Sequence, residues 1–224
     1  MEYQLIKQPR VVPNHPTYQV AKRLLDLSLC ILGAPIIIPV MCLCAIAIWL
    51  DSAGPVLFVQ DRIGKGGHKF QIYKFRTMPA NWNDSQCRVY MKSYVRGTVI
   101  DGENKSGRFK PTHTQQITRV GRILRKASLD ELPQLINVLK GEMSIVGPRP
   151  NVLWEVEEYQ PWHHERFEVL PGITGLAQVR GRSDINFTSL VRYDIEYIEK
   201  QSLILDIKIL WWTVLTAIQQ SGAR

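Results

Sequence analysis

An uncharged run of 24 residues, from Leu27 to Leu50, limits what this chain can fold into. As an unbroken helix the run would be about 36 Å long, enough to cross a hydrocarbon core of about 30 Å. It is too long for a secretory signal peptide, and no small-residue cleavage site follows it. The mean hydropathy of the whole chain, −0.11, excludes a transporter with many such segments.

Two prolines, Pro35 and Pro39, interrupt the middle of this run. Each proline removes a backbone hydrogen bond to the residue four positions earlier, so a helix kinks there. Basic residues flank the run on both sides: Lys22, Arg23, Arg62, Lys65. Since basic flanks favour the cytoplasmic side, we expect a re-entrant hairpin over residues 22–51 that turns at Pro35 or Pro39. A kinked spanning helix and a buried helix of a soluble protein are the alternatives.

The formal net charge of +8 is concentrated in two blocks without acids, residues 62–83 and 104–129. Together these blocks hold 12 of the 28 Lys and Arg residues. Such blocks are typical of a solvated surface or of one that binds anions, whether nucleic acid, lipid headgroups or a phosphorylated small molecule. Because few aromatic residues lie between the cations, we expect no nucleic-acid partner.

Residues 52–224 predict one α+β domain after a short lead-in (1–21) and the membrane hairpin. Short strands at 55–60 and 70–75, joined by a Gly-rich turn, predict a β-hairpin. Polar composition predicts loops at 79–116 and 170–184. Hydrophobic spacing predicts helices at 117–126, 128–141, 153–169 and 188–199. Residues 203–219 predict an amphipathic helix that lies on the membrane or against the core.

The adjacent acids Asp130 and Glu131 are the sharpest local feature, because they follow the second basic block directly. One interpretation is structural: Ser128 caps a helix and Glu131 reaches back to the amide of Ser128, as in a capping box. The other is functional. Carboxylates among Lys and Arg stay ionised, and an ionised Asp can attack phosphorus or bind Mg²⁺ through hard oxygen ligands. Nearby arginines would bind phosphoryl oxygens and stabilise charge during transfer.

Several further segments carry the same chemistry. Gly147-Pro148-Arg149-Pro150 is a rigid turn that presents one arginine, and Arg182 lies in a flexible cationic loop. No Walker loop, dinucleotide fingerprint, HExxH or GxSxG motif is present.

An ordered set of motifs resembles a known family, the bacterial sugar transferases, and among them the monotopic polyprenyl-phosphate phosphoglycosyl transferases. The resemblance covers about residues 20–222. Its motifs are Lys22-Arg23-Leu24-Leu25-Asp26, Asp51-Ser52-Ala53-Gly54-Pro55-Val56-Leu57-Phe58, Tyr73-Lys74-Phe75-Arg76-Thr77-Met78, Ser128-Leu129-Asp130-Glu131-Leu132-Pro133-Gln134-Leu135, Ser144-Ile145-Val146-Gly147-Pro148-Arg149-Pro150 and Pro171-Gly172-Ile173-Thr174-Gly175. The family's Ser-Pro helix break falls on Ile38-Pro39, where the serine is absent and Pro35 is an additional proline.

The resemblance implies a reaction. A nucleotide-diphosphate sugar, usually UDP-linked, donates its sugar-1-phosphate to undecaprenyl phosphate and UMP leaves. Asp130 would be the nucleophile, and Glu131 would orient it or assist at a Mg²⁺ ion bound between Asp130 and the donor diphosphate. The family's phosphate-binding cations match Lys74, Arg125, Arg149 and Arg182 by position. We assign Arg76 and Pro148, from the same motifs, to the substrate site as well.

The resemblance also implies a cellular setting: the bacterial inner membrane, with the catalytic domain on the cytoplasmic face against inner-leaflet lipids. The chain resembles the minimal catalytic form, since larger members add an N-terminal multi-helix domain. Downstream glycosyltransferases and a second copy of the chain are possible partners. The competing hypothesis is a non-catalytic, membrane-anchored protein that binds anions through its basic blocks.

Overall fold

The computed structural model describes residues 16–79, 85–98, 117–181 and 185–222. Within these residues, helices and short strands form a small mixed α/β domain that is preceded by one long apolar helix. The strands pair into two separate two-stranded sheets. The predicted fold class is therefore confirmed at the level of a small mixed domain with an N-terminal apolar helix.

The long helix α1 (Pro16–Asp51) contains both Pro35 and Pro39. By length and composition, it is the one helix in the described part of the chain that could cross a membrane. Only 11% of its most apolar 18-residue segment is buried inside the protein, and Leu32 is 76% exposed. Because α1 is continuous through both prolines, the hairpin turn expected at one of them stays a prediction.

The N-terminal part of α1 is attached to the domain by two charged side chains. Arg23 donates to the carbonyl of Val138 at 2.6 Å, and the buried carboxylate of Asp26 accepts from the backbone nitrogen of Ile145 at 3.1 Å. The nearby cations Lys22 and Arg23 each have another partner, so Asp26 bonds to the backbone and not to either of them.

The C-terminal end of α1 is attached to the same domain. Asp51 accepts from the backbone nitrogen of Val120 at 3.0 Å. Directly after the helix, the guanidinium of Arg76 donates to the carbonyls of Ser52 and Ala53 at 2.6 and 2.5 Å. Both ends of α1 are thus held by one folded unit, while its middle is exposed.

The predicted β-hairpin is confirmed. Strands β1 (Leu57–Ile63) and β2 (Lys69–Phe75) pair in antiparallel register, with Leu57 opposite Phe75. Their connection is a 3₁₀ turn at Lys65–Gly67. The Gly-rich composition of this turn suits it, because Gly66 and Gly67 have positive φ angles of 68° and 79°, which favour glycine.

The loop predicted over residues 79–116 is wrong in its middle. Helix α2 (Ser85–Arg96) lies there and packs on the domain through the buried Val95. The Tyr94 hydroxyl donates to the carbonyl of Ile185 at 2.8 Å, and Arg96 pairs with Glu158 at 2.6 Å. Long-range packing therefore forms a helix where local hydrophobic periodicity is too weak to predict one. Residues 80–84 and 99–116 lie outside the described part of the chain.

Helix α3 (Arg119–Lys126), a 3₁₀ turn at Leu129–Glu131 and helix α4 (Gln134–Lys140) follow in sequence. The single helix predicted over 128–141 is wrong in its first part, which is the 3₁₀ turn, and is confirmed from Gln134 to its end at Gly141, which has a left-handed φ of 81°. The fully buried Asn137 fixes α4 against β2. Its amide nitrogen donates to the carbonyl of Gln71 at 2.6 Å, and its amide oxygen accepts from the nitrogen of Tyr73 at 3.2 Å.

The second sheet pairs β3 (Ser144–Val146) with β4 (Gly172–Thr174) in parallel. The chain after β3 runs so close to β4 that a Cβ atom on Gly147 would lie 2.5 Å from the carbonyl oxygen of Leu170. Residues 153–169 form α5 (Leu153–Val156) and a 3₁₀ helix at Pro161–Glu168, rather than the single predicted helix. The loop predicted at 170–184 contains β4 and helix α6 (Leu176–Gly181).

Helices α7 (Phe187–Lys200) and α8 (Leu203–Gly222) complete the domain, as predicted at 188–199 and 203–219. One face of α8 packs on the core through the buried Ile209, while the other exposes Trp211. The core interpretation of α8 is therefore confirmed for this half of the helix, and its exposed apolar face leaves the membrane interpretation open.

A buried carboxylate, Asp206 of α8, joins three helices. It accepts from the Tyr18 hydroxyl at 2.9 Å, from the Lys22 ammonium at 3.0 Å and from the Tyr197 hydroxyl at 2.8 Å. Because Tyr18 and Lys22 belong to α1, this cluster is a third attachment of α1 to the domain.

Candidate active site

The two adjacent acids lie on the 3₁₀ turn Leu129–Glu131 between α3 and α4. Ser128, just before the turn, adopts a left-handed conformation with φ of 55°, and its side chain makes no capping hydrogen bond. The carboxylate of Glu131 points to Lys74 instead of back to the amide of Ser128. The capping-box interpretation is therefore wrong, because Ser128 makes no side-chain cap and Glu131 does not reach back to it.

Glu131 is held by two cations from different parts of the fold. The ammonium of Lys74, on β2, lies 2.7 Å from Oε1 of Glu131, and the guanidinium of Arg149 lies 3.4 Å from the same oxygen. Burial alone would raise the pKa of Glu131, but Arg149 and Lys74 outweigh burial and hold the pKa at about 2. Glu131 is thus a fixed anion across the physiological pH range.

Asp130 has a different environment, although it is the adjacent residue. No described side chain makes a hydrogen bond or ion pair with its carboxylate. Burial, and then the charge of Glu131, raise the pKa of Asp130, whereas Lys74 and Arg125 lower it. Arg125 is positioned near Asp130 by its own hydrogen bond to the hydroxyl of Thr77 at 2.9 Å. Asp130 therefore combines a carboxylate without a hydrogen-bonding side-chain partner with two nearby cations.

A narrow cleft next to Glu131 is lined by one neutral and three cationic side chains and closed by apolar residues: Arg62, Lys74, Gln134, Arg149, Pro150, Ile72, Ile173, Gly172. The sequence analysis did not assign Arg62 or Gln134 to the site. Arg62 lies in the first basic block and Gln134 in the motif of the dyad, so both carried a weak signal. A second groove, lined by residues of α7 and the 3₁₀ helix 161–168, contains neither member of the dyad.

Arg149 reaches the cleft from the turn after β3. Pro148 and Pro150 are buried, and the carbonyl of Pro148 accepts from the nitrogen of Gly172 at 2.8 Å. The carbonyl of Arg149 accepts from the buried guanidinium of Arg166 at 3.2 Å. Pro148 therefore has a scaffolding position, with its backbone tied to β4, and the turn presents the arginine side chain to Glu131.

The structure gives Arg76 a different role from the predicted one. Its side chain is buried, and it donates to the carbonyls of Ser52 and Ala53 and to the Ser52 hydroxyl. These bonds hold the C-terminal end of α1, so Arg76 is an anchor of the helix rather than a substrate ligand. Arg182, the other predicted cation, lies outside the described residues.

One of the two acids fits a divalent cation. The described residues contain no group of three or more His, Cys, Asp or Glu side chains that could hold a metal. Glu131 is already bound by Lys74 and Arg149, so Asp130 is the carboxylate left for Mg²⁺. Mg²⁺ often binds one or two carboxylates and completes its shell with water and substrate phosphates. Asp130 fits such a site together with a bound diphosphate, and Glu131 does not.

Comparisons with known proteins identify the family to which this chain belongs. The family model described as "Bacterial sugar transferase" matches residues 17–220. The chain belongs to the bacterial sugar transferase family. The match includes α1, the hairpin, the dyad turn and α8, so the family accounts for nearly the whole of the described structure.

Named relatives narrow the chemistry. A UDP-glucose:undecaprenyl-phosphate glucose-1-phosphate transferase of Caulobacter vibrioides is 41% identical over 94% of this chain and 76% of its own length. A UDP-N-acetylgalactosamine-undecaprenyl-phosphate N-acetylgalactosaminephosphotransferase of Aeromonas hydrophila is 37% identical over 93% of this chain and 46% of its own length. The exopolysaccharide production protein ExoY of Sinorhizobium fredii is 36% identical over 93% of this chain and 90% of its own length.

The share of each relative that this chain covers varies. It covers less than half of the Aeromonas protein and nine tenths of the Sinorhizobium protein. The names of the Caulobacter and Aeromonas proteins both give undecaprenyl phosphate as the acceptor. They differ in the sugar, which is glucose in one name and N-acetylgalactosamine in the other. The acceptor is therefore the common element of these names and the sugar is the variable one.

Proposed function

We propose that this protein transfers sugar-1-phosphate from a UDP-sugar to undecaprenyl phosphate, giving a polyprenyl-diphosphate sugar and UMP. The observation that carries the proposal is the environment of Asp130: its carboxylate has no hydrogen-bonding side-chain partner among the described residues and lies near two cations, Lys74 and Arg125. A carboxylate that no side-chain donor engages keeps lone pairs available for attack on phosphorus. The transfer would begin the assembly of an exopolysaccharide, O-antigen, capsule or glycoprotein glycan.

In the first half-reaction, a carboxylate oxygen of Asp130 attacks the phosphorus that bears the sugar. The bond between that phosphorus and the bridging oxygen breaks, and UMP leaves with the electron pair. In the second half-reaction, an oxygen of undecaprenyl phosphate attacks the same phosphorus and Asp130 leaves as a carboxylate. Each step exchanges one phosphorus–oxygen bond for another, so no oxidant or reductant is needed.

The cations around the dyad stabilise the negative charge that develops on the phosphoryl oxygens during transfer. Lys74, Arg125 and Arg149 bring positive charge from three elements to the two sides of the acid pair. Preorganised cations stabilise the negative charge on phosphoryl oxygens without reorganising during the reaction. Glu131 keeps Lys74 and Arg149 in place, so we assign it a positioning role.

Mg²⁺ is part of the proposal as the cofactor that Asp130 would hold together with the donor diphosphate. When bound, it neutralises charge on the diphosphate and so favours departure of the nucleotide. The residues of this chain bind the donor and supply the nucleophile.

We place the protein on the cytoplasmic face of the bacterial inner membrane, with α1 as a re-entrant anchor. Tyr73 and Arg76 lie about 10 Å apart on one extended segment. The N-terminal attachment of α1 lies near Tyr73, because Arg23 bonds Val138 and the adjacent Asn137 bonds Tyr73. The C-terminal attachment lies at Arg76, which bonds Ser52. A straight helix would separate residues 23 and 52 by about 43 Å. A helix that bends at its prolines meets both attachments more readily and leaves its exposed middle for lipid.

The test is a UMP-release assay on membranes that contain the protein, with Mg²⁺, undecaprenyl phosphate and a series of UDP-sugars. We expect wild-type membranes to release UMP and Asp130→Asn membranes to release none above background. Asp61→Asn, which changes an exposed acid on β1 whose partner among the described residues is the exposed Lys69, is the matched control and should keep activity. Substantial turnover by Asp130→Asn would refute the nucleophile.

The same preparation tests the non-catalytic alternative. An anion-binding protein would associate with anionic vesicles in a manner that weakens with salt and is insensitive to Asp130→Asn. Absence of UMP release with every UDP-sugar, together with such binding, would favour that alternative over the transferase.

A further inference from the structure

The cleft next to the dyad contains a buried amide that the protein itself leaves without a partner. Gln134, the first residue of α4, is 2% exposed. Its amide nitrogen makes no hydrogen bond to any described residue. Buried polar groups are almost always paired, and a buried donor without a partner costs free energy. A donor retained at this position therefore points to a partner that binds from outside.

A second donor in the same cleft is in the same condition. Arg62 uses two of its guanidinium nitrogens internally, donating to the carbonyl of Pro150 at 3.1 Å and to the side-chain oxygen of Gln60 at 2.7 Å. Its third nitrogen, Nε, is buried and has no partner among the described residues. Two unpartnered donors thus line one cleft, together with the cations Lys74 and Arg149.

The chemistry of the cleft selects its ligand. All four polar side chains in the lining can donate hydrogen bonds, three of them carry positive charge, and the walls include the apolar side chains of Ile72 and Ile173. A group with several acceptor oxygens and negative charge matches such a lining, and phosphate is that group. The apolar walls exclude water, which strengthens each hydrogen bond made to the ligand.

The cleft is closed in this structure and has no space for a water-sized group, so a ligand can enter only if one of its walls moves. Arg149 forms its outer wall, its side chain is 50% exposed, and its contact with Glu131 is long, at 3.4 Å. Movement of this one side chain toward solvent would admit a ligand to Gln134 and Arg62. Lys74 remains in place on β2, close to Glu131.

We propose that Gln134 is a ligand-binding residue whose amide nitrogen donates to a phosphoryl oxygen bound in the cleft of Arg62, Lys74 and Arg149. This deepens the proposed function, on which it rests. The phosphoryl group belongs either to the nucleotide that leaves or to the lipid phosphate that accepts. Gln134 thus fixes the position of the phosphate beside the dyad, while Asp130 performs the attack.

The experiment measures ligand affinity and stability together in Gln134→Met, which has a similar shape and no donor. Isothermal titration of the detergent-solubilised full chain uses three probes: UMP, undecaprenyl phosphate and inorganic phosphate. Because the amide nitrogen of Gln134 has no partner to lose, we expect the variant to keep or exceed the wild-type Tm. A hydrogen bond to a charged group is worth enough that the affinity should fall about 10-fold to 100-fold.

The probes assign the source of the phosphate. Loss of affinity for UMP alone places the nucleotide phosphate in the cleft, loss for undecaprenyl phosphate alone places the acceptor there, and loss for both indicates a position used in turn. Gln71→Met, which removes an exposed amide on β2, is the control and should bind as the wild type does. Unchanged affinity of Gln134→Met for all three probes, or no binding by the wild type, would overturn the proposal.

A second variant covers the case in which Gln134→Met is unstable. Gln134→Glu keeps the shape and replaces the donor with an anion, so it should bind phosphate probes more weakly than Gln134→Met. Equal binding by Gln134→Glu and the wild type would also overturn the proposal. The UMP-release assay is independent: an inactive wild type that binds phosphate through Gln134 refutes the transferase alone.

Discussion

The ammonium of Lys74 lies 2.7 Å from Oε1 of Glu131, and this ion pair joins strand β2 to the turn that carries both acids. Both side chains are largely buried, with 15% and 23% of their surface exposed. The pair fixes Glu131 as an anion, while Asp130, the preceding residue, has no hydrogen-bonding side-chain partner among the described residues. Two adjacent carboxylates thereby have separate roles.

Removal of Lys74 should affect both stability and activity. Lys74→Met leaves the carboxylate of Glu131 with Arg149 as its remaining cation, and an uncompensated buried charge is costly. Because Glu131 retains some exposure, we expect a loss of about 2 kcal/mol in the free energy of unfolding. UMP release should fall at least tenfold, as about 1.4 kcal/mol of transition-state stabilisation corresponds to each factor of ten. Lys74→Arg, which keeps the charge, should recover part of the stability and part of the UMP release. Unchanged Tm and activity in Lys74→Met would contradict this role of Lys74.

The stability contribution of Glu131 should depend on pH. Its pKa is lowered from 4.5 to about 2 in the folded protein, so its contribution is present above pH 4.5 and is lost as the pH falls toward 2. The Tm difference between the wild type and Glu131→Gln should therefore narrow over that range. Burial also lowers the pKa of Lys74, to about 8, so charged Lys74 opposes folding below that pH. The pair therefore stabilises the fold less than the pKa of Glu131 alone implies. A Tm difference that does not change between pH 5 and pH 2.5 would contradict the prediction.

The fall in the reaction rate at low pH should report the protonation of Asp130. Burial and Glu131 raise the pKa of Asp130 above its usual 3.8, and Arg125 opposes this. Since Asp130 must be ionised to attack, kcat/KM for the donor should fall as the pH drops through that raised pKa. Arg125→Gln removes a cation that lowers the pKa, so this fall should move to higher pH. Arg122→Gln, on the same helix and exposed, is the control. A fall that stays at the same pH, or moves to lower pH, in Arg125→Gln would refute this electrostatic role.

Arg76 should behave as an anchor of α1. Arg76→Met removes hydrogen bonds to Ser52 and Ala53 from a buried guanidinium, so we expect a loss of about 3 kcal/mol in the free energy of unfolding. The KM for the UDP-sugar should stay within about twofold, because the ligand is bound elsewhere. A large rise in KM with an unchanged Tm would instead support the substrate role that the sequence predicted.

Asp206 should hold α1 against α8. Asp206→Ala leaves Tyr18, Lys22 and Tyr197 without their shared acceptor, which should cost about 3–5 kcal/mol. We expect a lower Tm in detergent and faster proteolysis at the N-terminal part of α1. Asp206→Asn, which keeps an acceptor oxygen and loses the charge, should show an intermediate effect. A Tm equal to that of the wild type in Asp206→Ala would exclude this attachment.

Part of the architecture follows from local sequence. The apolar run, the hairpin with its glycine turn and the helix stop at Gly141 are each encoded by neighbouring residues, because hydrophobic period and backbone conformation are local properties. The order of motifs likewise identifies the dyad and three of its cations. Helix α2 could not be predicted in this way. Val95 packs against α7, and Tyr94 bonds Ile185 just before α7, so the contacts that hold α2 come from about 90 residues later in the chain.

The sequence by itself indicated the candidate site residues, which are the acid pair and the basic residues of the motifs, and it also indicated the helix of membrane-spanning length. Only the tertiary structure decided which role each of these residues has. Glu131 is paired because Lys74 comes from 57 residues earlier, and Arg76 is removed from the site because Ser52, 24 residues earlier, takes its guanidinium. Gln134 is singled out for the same reason: whether a buried donor is satisfied depends on every element packed around it, and no local pattern records that.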